Sequence, residues 1–144
     1  MANLNDALAA LFGELVDGPA PGAAFMLNTG DRGLLGSLER LSAADASTVT
    51  VPGNAPIAAH VDHLRYGLEL MNRWAAGDPN PWATADWTAS WRRTTVDEAG
   101  WRGLRDRLAG EARRWQEALA KNREVSDLEL KGIIGSVGHL ADGS

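Results

Sequence analysis

Ile57-Ala58-Ala59-His60-Val61-Asp62-His63-Leu64-Arg65-Tyr66-Gly67-Leu68-Glu69-Leu70-Met71-Asn72-Arg73-Trp74-Ala75 sets Ile57, Val61, Leu64, Leu68, Met71 and Ala75 at alternating steps of four and three. At about 100° per residue, those six side chains fall within roughly 80° of one helical face. Gly67, Leu70 and Trp74 widen that face on one flank. Asn54 is positioned to cap the helix, with Pro56 in its first turn. His60 falls near the middle of the widened face and His63 toward its edge, so both imidazoles are expected to point inward.

Toward the N-terminus, Leu4, Leu8, Leu11 and Leu15 repeat at helical spacing until residues 18–22, Gly-Pro-Ala-Pro-Gly, break the pattern. A first helix is therefore expected to end near Asp17. Leu34, Leu35, Leu38 and Leu41 form a short amphipathic piece, and residues 42–56 read as a connection. Toward the C-terminus, residues 77–94 carry two prolines and three tryptophans with no clean period. A helix of about 20 residues is ~30 Å long and 18 extended residues reach ~60 Å, so this link can cross a whole bundle and let the helices it joins run parallel. Loops of this length usually do something.

Thr95-x-x-Glu98 has the capping-box pattern and opens a third long helix with a stripe of Trp101, Leu104, Leu108, Ala112, Trp115 and Leu119. Glu111, Arg113, Arg114 and Glu117 read as its solvated face. Ser126-x-x-Glu129 opens a fourth helix, with Leu130, Ile133, Ile134, Val137, Leu140 and Ala141 as its stripe and His139 beside it. No alternating run is long enough for a sheet. Residues 1–144 read as one all-α domain, a four-helix bundle with a long crossover between the second and third main helices.

The bulk composition excludes several chemistries. A chain of 144 residues can bury roughly two-thirds of its unfolded surface, enough for a core without staples. It has no cysteine, so any metal must be held by nitrogen and oxygen. The net charge of −5 and the scattered basic residues argue against nucleic acid as a partner. No apolar run approaches the ~20 residues of a membrane span, and the N-terminus has no signal-peptide pattern, so a cytoplasmic location is the expectation. G-x-S-x-G, P-loop and G-x-G-x-x-G patterns are all missing. The six tryptophans read mainly as core and crossover packing, with Trp82, Trp87 and Trp91 as alternative lining for a pocket mouth.

The segments 57–64, Leu70-Met71-Asn72-Arg73-Trp74, Ala85-Asp86-Trp87-x-x-Ser90-Trp91 and Gly135-Ser136-Val137-Gly138-His139-Leu140-Ala141, in that order and spacing, resemble the DinB-like superfamily over nearly the entire chain. The resemblance implies an up-down-down-up four-helix bundle, often a homodimer, with zinc or nickel held by one histidine of the second helix and an H-x-x-x-H pair of the last. Some relatives are transferases or isomerases acting with a low-molecular-weight thiol on a small-molecule substrate. Carried onto this chain, the second-helix ligand matches His63 and the first of the last-helix pair matches His139.

The second member of the pair should stand at position 143, which is Gly143. The resemblance thus implies an incomplete three-histidine site, C-terminal truncation of the last helix, and weak or absent metal binding. Residues i and i+4 deliver two imidazoles to one ion, and a three-ligand set leaves coordination positions open for water or a thiolate; losing one ligand lowers affinity steeply. His60 and Asp142 are the alternative donors. Without the family, His63 and His60 read as hydrogen-bonded helix histidines, and His139 as a cation near a helix C-terminus. Two functional classes stay open: a divalent-metal-dependent thiol transferase or hydrolase with an incomplete site, or a non-catalytic bundle dimer or partner-binding scaffold that has lost metal.

Overall fold

The computed structural model describes residues 4–22, 24–92 and 95–121. All regular elements among them are helical: α1 (Leu4–Asp17), α2 (Gly33–Glu39), α3 (Ala43–Ser47), α4 (Ile57–Ala75) and α5 (Glu98–Ala120), with short 3₁₀ turns at Pro81–Thr84 and Ala89–Arg92 between the last two. The first, second and third main helices of the sequence reading are α1, α4 and α5. The fourth, expected from Ser126, lies outside the described residues. No described helix is long and apolar enough to cross a membrane.

The core joins α1, α4 and α5 through Phe12, Leu15, Val16, Val61, Leu64, Leu68 and the whole stripe of α5. Trp101 and Trp115 are both 0% exposed. At ~25 cal/mol per Å² and about 200 Å² each, their burial favours folding by up to ~5 kcal/mol apiece. The Trp101 indole N–H donates to the carbonyl of Leu41 at 2.9 Å, so the polar atom it brings into the core is paired. Asn72 of α4 donates to the Glu111 carbonyl at 2.9 Å and to its carboxylate at 2.7 Å. Arg113 of α5 makes a two-pronged pair with Asp17 at the end of α1, both contacts at 2.5 Å. Two charged residues read as solvated surface thus tie helices together.

The polypeptide turns sharply between α1 and α2. Gly18, φ +85°, closes α1 by donating its N–H to the Glu14 carbonyl at 2.8 Å, and Gly33, φ +71°, opens α2 against it. A Cβ on Gly33 would stand 2.3 Å from the Gly18 nitrogen, and one on Gly18 would stand 2.1 Å from the Asp31 carbonyl oxygen. Positive φ and backbone contact both demand glycine at this pair. The loop between them is pinned from inside: the buried Glu14 carboxylate accepts backbone N–H groups of Met26 and Leu27 at 2.7 Å each and of Phe25 at 3.1 Å.

Several local expectations are corrected. The connection over 42–56 contains α3, opened by a Ser42 and Asp45 capping box. Pro56, not Asn54, occupies the N-cap of α4 and provides no side-chain bond. Helix α5 is capped by Asp97, whose side chain accepts the Gly100 N–H at 2.7 Å. Glu98, expected to close a box with Thr95, instead accepts the Ala43 N–H at 2.9 Å and ties α3 to α5. On α4 Leu70 is buried as its place on the widened face implied, the buried set also takes in Ala58, Ala59 and Asp62, and Ile57 is 38% exposed. On α1 it is Asn5, Leu8, Ala9, Phe12, Glu14, Leu15 and Val16, with Leu4 54% exposed.

Candidate functional site

The crossover folds back onto α4. His60, His63 and Tyr66 lie three residues apart along the helix, and Trp87 and Trp91 lie four apart in the crossover. The His63 imidazole stacks on Trp91, with ring centroids 4.6 Å apart and planes 27° apart, and a tilted contact joins it to Trp87 at 5.8 Å. His60 meets the same Trp91 edge-on at 5.1 Å. Tyr66 packs edge-on against Trp87 at 5.7 Å. Five rings therefore form one continuous layer on α4, of the geometry that aromatic pairs prefer.

Backbone and side-chain bonds hold the crossover in that position. The Tyr66 hydroxyl accepts the N–H of Asp86 at 2.9 Å. Asp86 in turn accepts from the Thr88 hydroxyl at 2.7 Å and the Thr88 N–H at 3.1 Å. These Thr88 contacts, side chain first, hold the Asp86 carboxyl below its ordinary value, with the nearby Arg92 adding to the effect against some desolvation. Earlier in the crossover, Trp82 meets Trp74 edge-on at 5.4 Å, beside the buried Pro81. The three crossover tryptophans were expected as packing or pocket mouth; Trp87 and Trp91, 41% and 40% exposed, roof the histidine stripe and face solvent.

His63 is half-buried, as its edge position on the helix implied. His60 is exposed, contrary to the inward direction expected of it: it sits in the first turn of α4, where the covering element is the crossover rather than another helix. Tyr66, which fastens the crossover, was not singled out in the sequence. Its spacing of three from His63, opposite a Trp-x-x-x-Trp pair, is the signal by which it could have been found.

Stacking uses the π face of an imidazole, whereas ligation uses an in-plane nitrogen, so the Trp91 contact fixes the ring's direction in a way compatible with a ligand role for His63. The described residues do not complete a metal set: among them no three His, Asp or Glu side chains converge. His139 and Asp142 lie outside the described residues. Along α4, the ion pairs of Arg65 with Asp62 at 2.9 Å and Glu69 at 3.1 Å are i to i+3 and i to i+4 helix pairs of the kind that stabilise structure.

A family model described as the DinB superfamily matches residues 26–132. That span contains α2 to α5, the crossover and both α4 histidines. Comparison with curated proteins and with solved structures finds no match.

Proposed function

The chain belongs to the DinB superfamily, and on that premise we propose that it is an up-down-down-up bundle of the metal-dependent thiol-transferase and hydrolase lineage whose three-histidine centre is reduced to His63 and His139. The observation that carries this reading is the His63 stack on Trp91 at 4.6 Å. An imidazole held by its face keeps a fixed direction for its nitrogens, as a ligand position requires. Gly143 stands where the family has its remaining imidazole, and Asp142 is the substitute donor. A divalent cation, zinc or nickel, would supply Lewis acidity toward a low-molecular-weight thiol or water. Trp87 and Trp91 would keep solvent off one face of His63 and offer flat apolar surface to a small-molecule substrate.

Calorimetric titration of chelator-treated protein with zinc and with nickel tests the reading. Weak binding, Kd on the order of 10 μM or above, further weakened by His63→Ala, is the expected result. Tight one-to-one binding that His63→Ala abolishes would overturn the incomplete set.

The second reading is a non-catalytic homodimer or partner scaffold. It is favoured by the adjacent Phe25 and Met26, 82% and 45% exposed, on the loop that Glu14 pins. A rigid exposed apolar pair suits an interface. Light scattering that returns a monomer at every concentration counts heavily against this reading and removes its homodimer form; a dimer that Phe25→Asp dissociates supports it.

A further inference from the structure

A cavity of about 550 Å³ opens between α1, α2 and the N-terminal half of α4, within the ~300–1,000 Å³ range of small-molecule clefts. Its walls include Leu15 of α1, Leu34 and Leu38 of α2, and Val61 and Leu64 of α4. Each of these is at most 8% exposed, so core side chains form the floor of the cavity, while Asp31, Ser37, Ile57 and His60 are exposed at its rim. A ligand body that fills it must be apolar.

Three polar side chains join that lining: the Asp31 carboxylate, the Ser37 hydroxyl and the His60 imidazole. Two of them are held in position. Asp31 Oδ1 accepts the Gly33 N–H at 2.8 Å, at the turn locked by the Gly18 and Gly33 contact. His60 rests edge-on against Trp91 at 5.1 Å. Among the described residues no Lys or Arg lines the cavity; the neighbouring Arg32 lays the base of its side chain along Gly36. The Asp31 carboxylate is therefore met by no cation among the described lining residues. A carboxylate head group would bring like charge to Asp31, whereas an ammonium finds opposite charge and a hydroxyl acceptor in Ser37.

We propose that this cavity binds a small amphipathic amine, an aliphatic or aryl chain seated against Leu34, Leu38 and Leu64 with its protonated amino group at Asp31. His63 is not among the described lining residues, and the binding proposed at Asp31 requires no metal, so its test can be run with metal removed.

The test is calorimetric titration of the unaltered full chain, in the presence of EDTA, with octylamine hydrochloride, octanol and sodium octanoate, three probes of equal chain length. Octylammonium is expected to saturate one site, with octanol roughly fivefold weaker, the scale of one ion pair near a surface, and octanoate weaker again. Asp31→Asn, whose amide oxygen can still accept the Gly33 N–H, is expected to lower the amine to the affinity of the alcohol. Leu38→Trp, which fills the cavity, is expected to weaken all three. Octanoate binding as tightly as octylammonium, or no saturable binding of the amine, overturns the proposal. Amine binding that neither variant changes overturns it as well, because the ligand is then elsewhere. The order of the three probes on the unaltered chain decides the question even where a variant fails to fold.

Discussion

The His63 imidazole lies nearly parallel to the Trp91 indole, 4.6 Å between ring centroids, and this stack joins the centre of α4 to a crossover that has little periodic structure of its own. Twenty-eight positions of chain separate the two rings. The contact turns a loop into a roof over the two α4 histidines, and it makes the direction of the His63 ring depend on a residue far from it in sequence.

Trp91→Ala removes both the stack on His63 and the edge contact with His60. Trp91 is 40% exposed, so the cost is expected at about 1–2 kcal/mol, less than for a core indole. Urea denaturation measures that loss. The ring protons of His60 and His63, now shifted by the indole ring current, are expected to move toward free-imidazole positions in the NMR spectrum. Unmoved ring protons would count against a populated stack.

Tyr66→Phe keeps the aromatic edge on Trp87 and deletes only the acceptor of the Asp86 N–H. Asp86 is exposed, so water replaces the hydroxyl and the expected loss is small, about 0.5–1 kcal/mol. The informative readout is local. Amide hydrogen exchange at Asp86 is expected to accelerate while that of the α5 core stays unchanged. Equal acceleration in both would mean that Tyr66 supports the whole fold and not the crossover alone.

What sequence periodicity could and could not reveal follows from the range of each contact. The α5 stripe from Trp101 to Leu119 is buried in full because one face of that helix meets the core along its length. On α1 the expected Leu4 and Leu11 yield to Ala9, Phe12 and Val16, since the helix packs on α2 as well as α5 and period alone does not choose the flank. Thr95 and Glu98 have the spacing of a capping box, yet Glu98 is taken by Ala43, fifty-five positions away. His63 was legible as an edge position. Its indole neighbour was not, because residues 77–94 have no period from which to infer a facing surface.

Gly18 and Gly33 offer a test that separates backbone strain from collision. Gly53 has φ +87° with nothing within 4 Å of a built Cβ, so Gly53→Ala is expected to cost only the left-handed penalty of ~1–2 kcal/mol. Gly33→Ala carries the same kind of penalty and also drives a methyl to 2.3 Å from the Gly18 nitrogen. Relief requires α1 and α2 to separate, and the total is expected near 2–5 kcal/mol. Thermal denaturation of the two variants side by side decides the point. Equal losses would mean that the junction opens at little cost.

Glu14 makes the stability of the α1–α2 junction depend on pH. The Leu27 N–H, with those of Met26 and Phe25, holds its carboxyl below the ordinary value of 4.5, although desolvation opposes them. A carboxyl whose folded pKa is depressed stabilises fully above its unfolded value and loses that contribution as pH falls through the lower, folded one. Glu14→Gln keeps an acceptor oxygen and removes the charge. The variant is therefore expected to be less stable than the parent at neutral pH, with the gap closing as pH drops below about 4.5. Urea denaturation of both proteins from neutral pH to about pH 3 measures the gap. A gap that stays constant across that range would show that the N–H groups of Phe25, Met26 and Leu27 do not discriminate the charged carboxylate from a neutral amide.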